Sequence, residues 1–258
     1  METVDHLGDR LIGCSIRGSK HEAVDVPCRD AWNAAQLSDG KFVMAVADGV
    51  GSTSRSHEGA NLATRETVAA LERSLDTGGD AERETVESNI KDAVTTARSA
   101  IHARADELGE PPTELDTTLL VAVAWRGTVA GAAVGDGGIV YSLGASYGLL
   151  VPREESVVDL PYSNITVPLQ HQEWDSSYRF GYITDCDGIA LFSDGLSQFA
   201  WDGPEPTNAT FFDTMFDIAR EDDGDVASTE LVALLQGEPY RDIADDKTIV
   251  ISDVPPSQ

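Results

Sequence analysis

Three short apolar runs in this chain end in the same dipeptide, Asp-Gly: Val43-Met44-Ala45-Val46-Ala47 leads to Asp48-Gly49, Ala132-Ala133-Val134-Gly135 to Asp136-Gly137, and Ala190-Leu191-Phe192-Ser193 to Asp194-Gly195. None of them alternates apolar with polar residues. A strand made from such a run is apolar on both faces and has to be covered twice, by an opposing sheet on one side and a helical layer on the other. Further runs rich in Val, Ile and Leu, at Leu11 to Arg17, Leu119 to Trp125, Thr128 to Val134, Ile139 to Leu143 and Thr248 to Ser252, read as strands of the same kind.

The helical layer is legible too. Ala60, Ala63, Thr64, Thr67, Val68, Leu71 and Leu75 recur at three- and four-residue spacings, as do Ile90, Val94, Ala97, Ile101, Ala105 and Leu108. The Gly-containing break Asp76-Thr77-Gly78-Gly79-Asp80 predicts two antiparallel helices, the second closed by Gly109 and by Pro111-Pro112. Two later helical patterns lie around Phe211 to Arg220 and Val226 to Leu235. Strands, two helices, hairpins, more helices and a last strand describe an α+β layered sandwich better than alternating βαβ units. With 258 residues and 41% hydrophobic content, one core is expected, hence a single domain over 1–258 with 255–258 as a tail. Pro204-Glu205-Pro206 reads as a loop, Leu160 to Asp187 as an irregular flap or substrate-facing segment, and Trp32, Trp125, Trp174 and Trp201 as packing residues.

Charge narrows the function. A formal charge of −27 repels nucleic acid and anionic membrane surfaces. No apolar run approaches the roughly 18 residues that span a bilayer. Lysine occurs only at Lys20, Lys41, Lys91 and Lys247. A high-salt interior, where screening relieves self-repulsion, is one account of this acidity, and an ordinary acidic surface is another. The cysteines, Cys14, Cys28 and Cys186, show no Cys-x-x-Cys spacing, so neither a disulfide framework nor a zinc site is indicated, and a cytoplasmic location is expected. Cys28 and Cys186 read as buried small hydrophobes, and His57 as capping or exposed.

Asp-Gly between strands is also the strongest short hairpin signal, so each instance admits a turn reading. For Asp136, between two clear strands, the turn is expected. Asp48 is followed by Val50-Gly51-Ser52-Thr53-Ser54 and then a helix, and Asp194 by what looks like a short helix, so a turn explains them less well. The last strand reverses the order, with Asp245-Asp246 ahead of Lys247-Thr248-Ile249. Carboxylates converging from rigid strand ends form the oxygen-rich cage that Mg²⁺ or Mn²⁺ requires.

Taken in order, Arg29-Asp30-Ala31, Asp48-Gly49-Val50-Gly51-Ser52, Thr117-Thr118-Leu119, Gly135-Asp136-Gly137, Ser193-Asp194-Gly195-Leu196 and Asp245-Asp246-Lys247-Thr248 resemble the motifs of the type-2C metal-dependent protein phosphatases (PPM), in their prokaryotic branch. The resemblance implies a four-layer αββα sandwich of two antiparallel sheets, with two Mg²⁺ or Mn²⁺ ions at one edge. It implies that Asp48 bridges both metals, that the Gly49 carbonyl binds one, and that Asp194 and Asp245 complete the other, with Asp246 the substitute if the register slips by one. Asp30 resembles the acidic residue that orders metal-bound water. Two cations roughly 3.5–4 Å apart lower the pKa of a bridging water for in-line attack on phosphorus. The implied substrate is a phosphoserine or phosphothreonine protein, the product of a serine/threonine kinase.

The chain departs from the family pattern in three places. Where many members carry a phosphate-gripping arginine, it has Gly18-Ser19-Lys20-His21, leaving His21, Lys20 and Arg17 as candidates. His21 is also a candidate proton donor, because Val50 stands where eukaryotic members have a histidine. Asp116 replaces a common glycine; it, or Glu114, is a candidate ligand of a third metal beside Asp194, though a solvent-facing carboxylate is the simpler account. These departures motivate one alternative, a pseudophosphatase that binds phosphoproteins without turnover. A metal-dependent hydrolase sharing only the strand-end aspartates is another. Gly135-Asp136-Gly137-Gly138 and Gly49-Val50-Gly51 complete no nucleotide-binding loop.

Overall fold

A computed structural model describes residues 3–7, 11–75, 82–153, 166–201 and 208–254. Its described strands form two antiparallel sheets. The six-stranded sheet contains β1 (Thr3–Leu7), β2 (Leu11–Ile16), β7 (Gly138–Leu143), β8 (Ser146–Leu149), β10 (Gly188–Phe192) and β11 (Lys247–Asp253), in the order β1-β2-β11-β10-β7-β8. The five-stranded sheet contains β3 (Ala31–Gln36), β4 (Phe42–Ala47), β5 (Leu119–Trp125), β6 (Thr128–Val134) and β9 (Arg179–Ile183), in the order β3-β4-β5-β6-β9. Four short or polar strands, β1, β3, β8 and β9, lie at sheet edges, and their mixed composition hid them from a search for apolar runs.

The doubly apolar runs have the expected explanation. Side chains alternate across a strand, so Phe42, Met44 and Val46 of β4 meet Leu191 of β10 and Val250 of β11 between the sheets. Val43 and Ala45 pack instead under α2 (Ser56–Leu75) and α3 (Arg83–Leu108). On the other side Ala190, Phe192, Ile249 and Ile251 pack under α6 (Ala209–Ala219) and α7 (Gly224–Gln236), which follow the short α5 (Ser197–Ala200). The result is helix, sheet, sheet, helix. The buried faces of α2 and α3 are those read from the spacing, and Gly109 closes α3 at φ 69°. Asn208 and Asp223 cap α6 and α7 through their side-chain oxygens. All four tryptophans pack against the apolar clusters, and Cys28 and Cys186 are buried.

Two expectations need correction. The turn at Gly135-Asp136-Gly137 does not close a hairpin: β6 pairs with β5 and β9, β7 pairs with β10 and β8, and the turn carries the chain from one sheet to the other. Nor is the stretch before Asp187 irregular, since residues 166–187 contain α4 (Trp174–Ser177) and β9, which completes the five-stranded sheet. The break at Asp76 to Asp80, the Pro204 to Pro206 loop, the beginning of the expected flap at Leu160 and the tail at 255–258 lie outside the described residues.

Candidate metal centre

Antiparallel pairing brings the chemistry to one edge. Ala31 faces Ala47 across β3 and β4, so Asp30, just before β3, and Asp48, just after β4, leave their sheet at the same end. In the other sheet Phe192 faces Ile249, which brings Asp194, after β10, beside Asp245 and Asp246, ahead of β11. Neither Gly49 nor Gly195 has a positive φ. A tight hairpin turn of the Asp-Gly kind requires one, so these two dipeptides serve a different purpose. A Cβ on Gly195 would lie 2.0 Å from the Asp246 carbonyl oxygen, and one on Gly49 would lie 2.8 Å from the Arg29 carbonyl oxygen and from Ser56. The glycines let the segments bearing the carboxylates approach one another.

Each carboxylate has a distinct setting. Asp30 is buried and accepts a hydrogen bond from Ser193 Oγ at 2.6 Å; Ser193 Oγ in turn accepts from the Thr248 backbone N–H at 3.0 Å, which latches one sheet to the other. The backbone of Asp48 is fixed by the Thr-Thr pair: its N–H donates to Thr118 Oγ1 at 2.9 Å, and its carbonyl accepts from Thr117 Oγ1 and from the Thr118 N–H, each at 2.8 Å. The carboxyls of Asp48 and Asp194 face each other, with Asp245 contributing negative potential to both.

Crowding shows in the protonation. Burial, then the negative charges of Asp30, Asp194 and Asp245, holds the Asp48 carboxyl well above the usual range. Burial and the neighbouring charge of Asp246 push Asp30 up to about 8. Burial and the charges of Asp136 and Asp245 push Asp194 up to about 6. Asp136 therefore belongs to the electrostatics of this edge as well as to a turn, and accepts a 2.7 Å hydrogen bond from Thr166 Oγ1.

Asp245 and Asp246 differ sharply. Asp246 is 1% exposed and both its oxygens are committed: Oδ1 accepts from the Gly18 N–H at 2.7 Å and pairs with His21 Nδ1 at 2.9 Å, while Oδ2 accepts from the Arg29 N–H at 2.6 Å. Asp245 is exposed, lines a cleft shared with Asp194, and among the described residues accepts only from the adjacent Asp246 N–H at 3.0 Å, through Oδ1. A one-residue choice that the sequence left open thus separates in space into a brace and an open carboxylate.

The residues fit hard divalent cations. Among the described residues none of Asp30, Asp48, Asp194 and Asp245 forms an ion pair with a lysine or arginine, and Asp194 Oδ1 is buried without a hydrogen-bond partner. Asp30 is buried, Asp48 and Asp194 are half-buried and Asp245 is exposed, and carboxylates drawn this close at a partly desolvated edge call for protons or cations to neutralise them. Also among the described residues, no three His, Cys, Asp or Glu side chains stand close enough to hold an ion by themselves. Hard divalent cations that keep several waters need only one or two carboxylates with a backbone oxygen, so the unpaired carboxylates at this edge fit them.

The remaining candidates are placed as follows. Arg17 turns to Asp25 at 3.5 Å and to the Val26 carbonyl at 3.3 Å, Lys20 is exposed on α1 (Ser19–Ala23), and His21 is buried on Asp246. Glu114 accepts from Ser54 Oγ at 2.8 Å and so holds the loop that follows Asp48. Asp116 keeps one buried oxygen without a partner, and burial raises its carboxyl to about 6. Sequence reasoning missed Arg29 as a cation of the site: its guanidinium donates to the Gly51 carbonyl, in the loop directly after Asp48-Gly49. The signal was present, since Arg29 adjoins Asp30, but nothing in the sequence said that its side chain reaches the next motif.

Comparison with known proteins gives one answer throughout. The profile of a family described as protein phosphatase 2C matches residues 17–236. Serine/threonine-protein phosphatase 3 of Escherichia coli (strain K12) is 29% identical over 196 residues, covering 74% of this chain and 75% of its own. Among solved structures, a bacterial serine phosphatase superposes with a TM-score of 0.66 at 15% identity, covering 96% of this chain and 98% of its own. The serine/threonine phosphatase PstP/Ppp of Mycobacterium tuberculosis superposes with a TM-score of 0.64 at 18% identity, covering 95% and 98%.

Proposed function

Because the chain belongs to the protein phosphatase 2C family, we propose that it hydrolyses phosphoserine and phosphothreonine in proteins in a reaction that depends on Mg²⁺ or Mn²⁺, undoing the work of a serine/threonine kinase. The observation that carries this reading is the convergence of Asp30, Asp48, Asp194 and Asp245 from four strand ends of two sheets on one edge, with their charge left for cations to neutralise. A module that only binds phosphoproteins has no use for such crowding. Residues 1–258 act as one catalytic unit in this reading. The three cysteines are buried and none is joined in a disulfide, as suits a cytoplasmic protein, and no described helix is long and apolar enough to cross a membrane.

In this proposal Asp48, the Gly49 carbonyl, Asp194 and Asp245 would hold the ions, with Asp116 the candidate for a further one. Bound cations supply Lewis-acid activation of water and neutralise charge on the transferring phosphoryl group. The protein fixes the donors beforehand. Thr117 and Thr118 lock the Asp48 backbone, and Ser193 fixes the Asp30 carboxyl by donating to one of its oxygens. Arg29 joins Lys20, His21 and Arg17 as a candidate for the phosphate oxygens, since a guanidinium matches them with paired donors.

Turnover of p-nitrophenyl phosphate and of a phosphothreonine peptide, measured with Mn²⁺ or Mg²⁺ and with a chelator, tests the proposal. Activity is expected only with the metal, and Asp48→Ala is expected to cost at least about 10²-fold, the scale of losing one fixed electrostatic contact to the transition state. Metal-independent turnover, or an Asp48→Ala variant as active as the parent, would rule the reading out.

A further inference from the structure

A cleft of about 510 Å³ opens beside the proposed metal ligands. Asp194 and Asp245 line it, together with Phe199, Pro239, Ile243, Asp242 and the polar Gln198 among others. A phosphopeptide whose phosphate sits against Asp194 and Asp245 has this opening directly beside it, because the two carboxylates line both places. A volume of this size is about 8 Å across, and an extended chain advances roughly 3.3–3.6 Å per residue, so the cleft has room for one or two residues.

Its lining is of two kinds. The Phe199 ring is held against Tyr240, with centroids 4.6 Å apart, and with Pro239 and Ile243 it offers an apolar floor. At the rim stands Asp242, exposed and in no ion pair among the described residues. Its neighbour Arg241 is turned to Glu238, 3.9 Å away. The loop carrying Asp242 is anchored to α1, where the Ser19 N–H donates to the Ile243 carbonyl at 2.9 Å and the Lys20 N–H to the Ala244 carbonyl at 3.2 Å. Once cations neutralise Asp194 and Asp245, Asp242 is the remaining negative group in the lining of the cleft. A long aliphatic side chain ending in a cation satisfies both parts of the lining, its stem on the apolar floor and its head at the rim.

We propose that this cleft receives a residue flanking the phosphorylated one, and that Asp242 selects lysine or arginine there over a neutral or acidic side chain. The inference rests on the phosphatase reading above and gives its substrates a class: phosphoproteins with a basic residue close to the phosphosite. An exposed ion pair contributes modestly. The preference is therefore expected to be a few-fold, and to appear in KM more than in kcat, since Asp242 lies off the reacting atoms.

Phosphothreonine peptides with Lys, Ala or Glu scanned through the three positions on either side of the phosphosite, compared with p-nitrophenyl phosphate, decide it. The expected result is a Lys-over-Glu preference at one position, reversed by Asp242→Lys, with p-nitrophenyl phosphate turnover unchanged in that variant. Phe199→Ala is expected to raise KM for the peptides alone, and gives a second readout should Asp242→Lys fold poorly. Full turnover of p-nitrophenyl phosphate with no charge preference at any position, or a preference that survives Asp242→Lys, overturns the assignment of the cleft while leaving the phosphatase reading intact. Absence of turnover on every substrate overturns both.

Discussion

Adjacent aspartates 245 and 246 divide one chemistry between two tasks. Asp246 satisfies two buried backbone donors and a histidine, so Asp246→Ala leaves the Gly18 and Arg29 N–H groups without an acceptor. At about 1–3 kcal/mol for each orphaned buried donor, a loss of roughly 3 kcal/mol is expected, visible in chemical denaturation with or without metal. Asp245→Ala removes an exposed side chain and is expected to leave the metal-free stability within about 0.5 kcal/mol of the parent. Its effect should fall on divalent-cation affinity, read by calorimetric titration. The reverse pattern, with Asp245 the structural residue and Asp246 the ligand, would overturn the division.

Among the elements, α2 and the 3-10 turn at Pro112–Leu115 control the Thr117-Thr118 pair that pins Asp48. They meet at Gly59, where an added Cβ would lie 2.0 Å from the Leu115 carbonyl oxygen. Helix propensity favours Ala over Gly by about 1 kcal/mol, so Gly59→Ala in an exposed helix would stabilise. Here the backbone clash dominates, because overpacking of this kind costs about 1–3 kcal/mol or more and a carbonyl cannot swing aside as a flexible side chain can. A net loss of stability is expected on thermal unfolding, with reduced turnover because the Asp116–Thr118 segment moves with Leu115. A more stable, fully active Gly59→Ala protein would show that α2 and the turn are not packed as described.

For the molecule as a whole, the carboxylates tie folding to pH and to metal. Asp30 and Asp194 have folded pKa values of about 8 and about 6, raised above the ordinary 3.8. Between those limits the folded, metal-free protein holds more protons than the unfolded chain. The resulting stability is complete below about pH 4 and is lost as pH rises toward 8. Cations compete with those protons, so they should bind more tightly as pH rises and flatten the decline. Thermal unfolding from pH 4.5 to 8, in chelator and in Mn²⁺, checks this, and Asp30→Asn, which mimics the protonated group, should reduce the slope in chelator. A chelated parent whose Tm climbs through that window would contradict the assignment.

Much of this architecture is local information. Continuous short runs apolar on both faces, helices with apolar stripes at three- and four-residue spacing, and carboxylates at the ends of strands are properties of short stretches of chain, so the layers and the carboxylates at 48 and 194 could be read directly. The edge strands could not, because β3 and β9 are half-exposed and owe their existence to their neighbours' hydrogen bonds rather than to their own composition. Nor could the partition of Asp245 from Asp246, the reach of Arg29 to Gly51, or the crossing of Asp136 between sheets. Each of these depends on which distant segment arrives alongside. Side-chain chemistry declares what a residue is able to bind, but only long-range packing settles which groups stand within hydrogen-bond reach and which remain open.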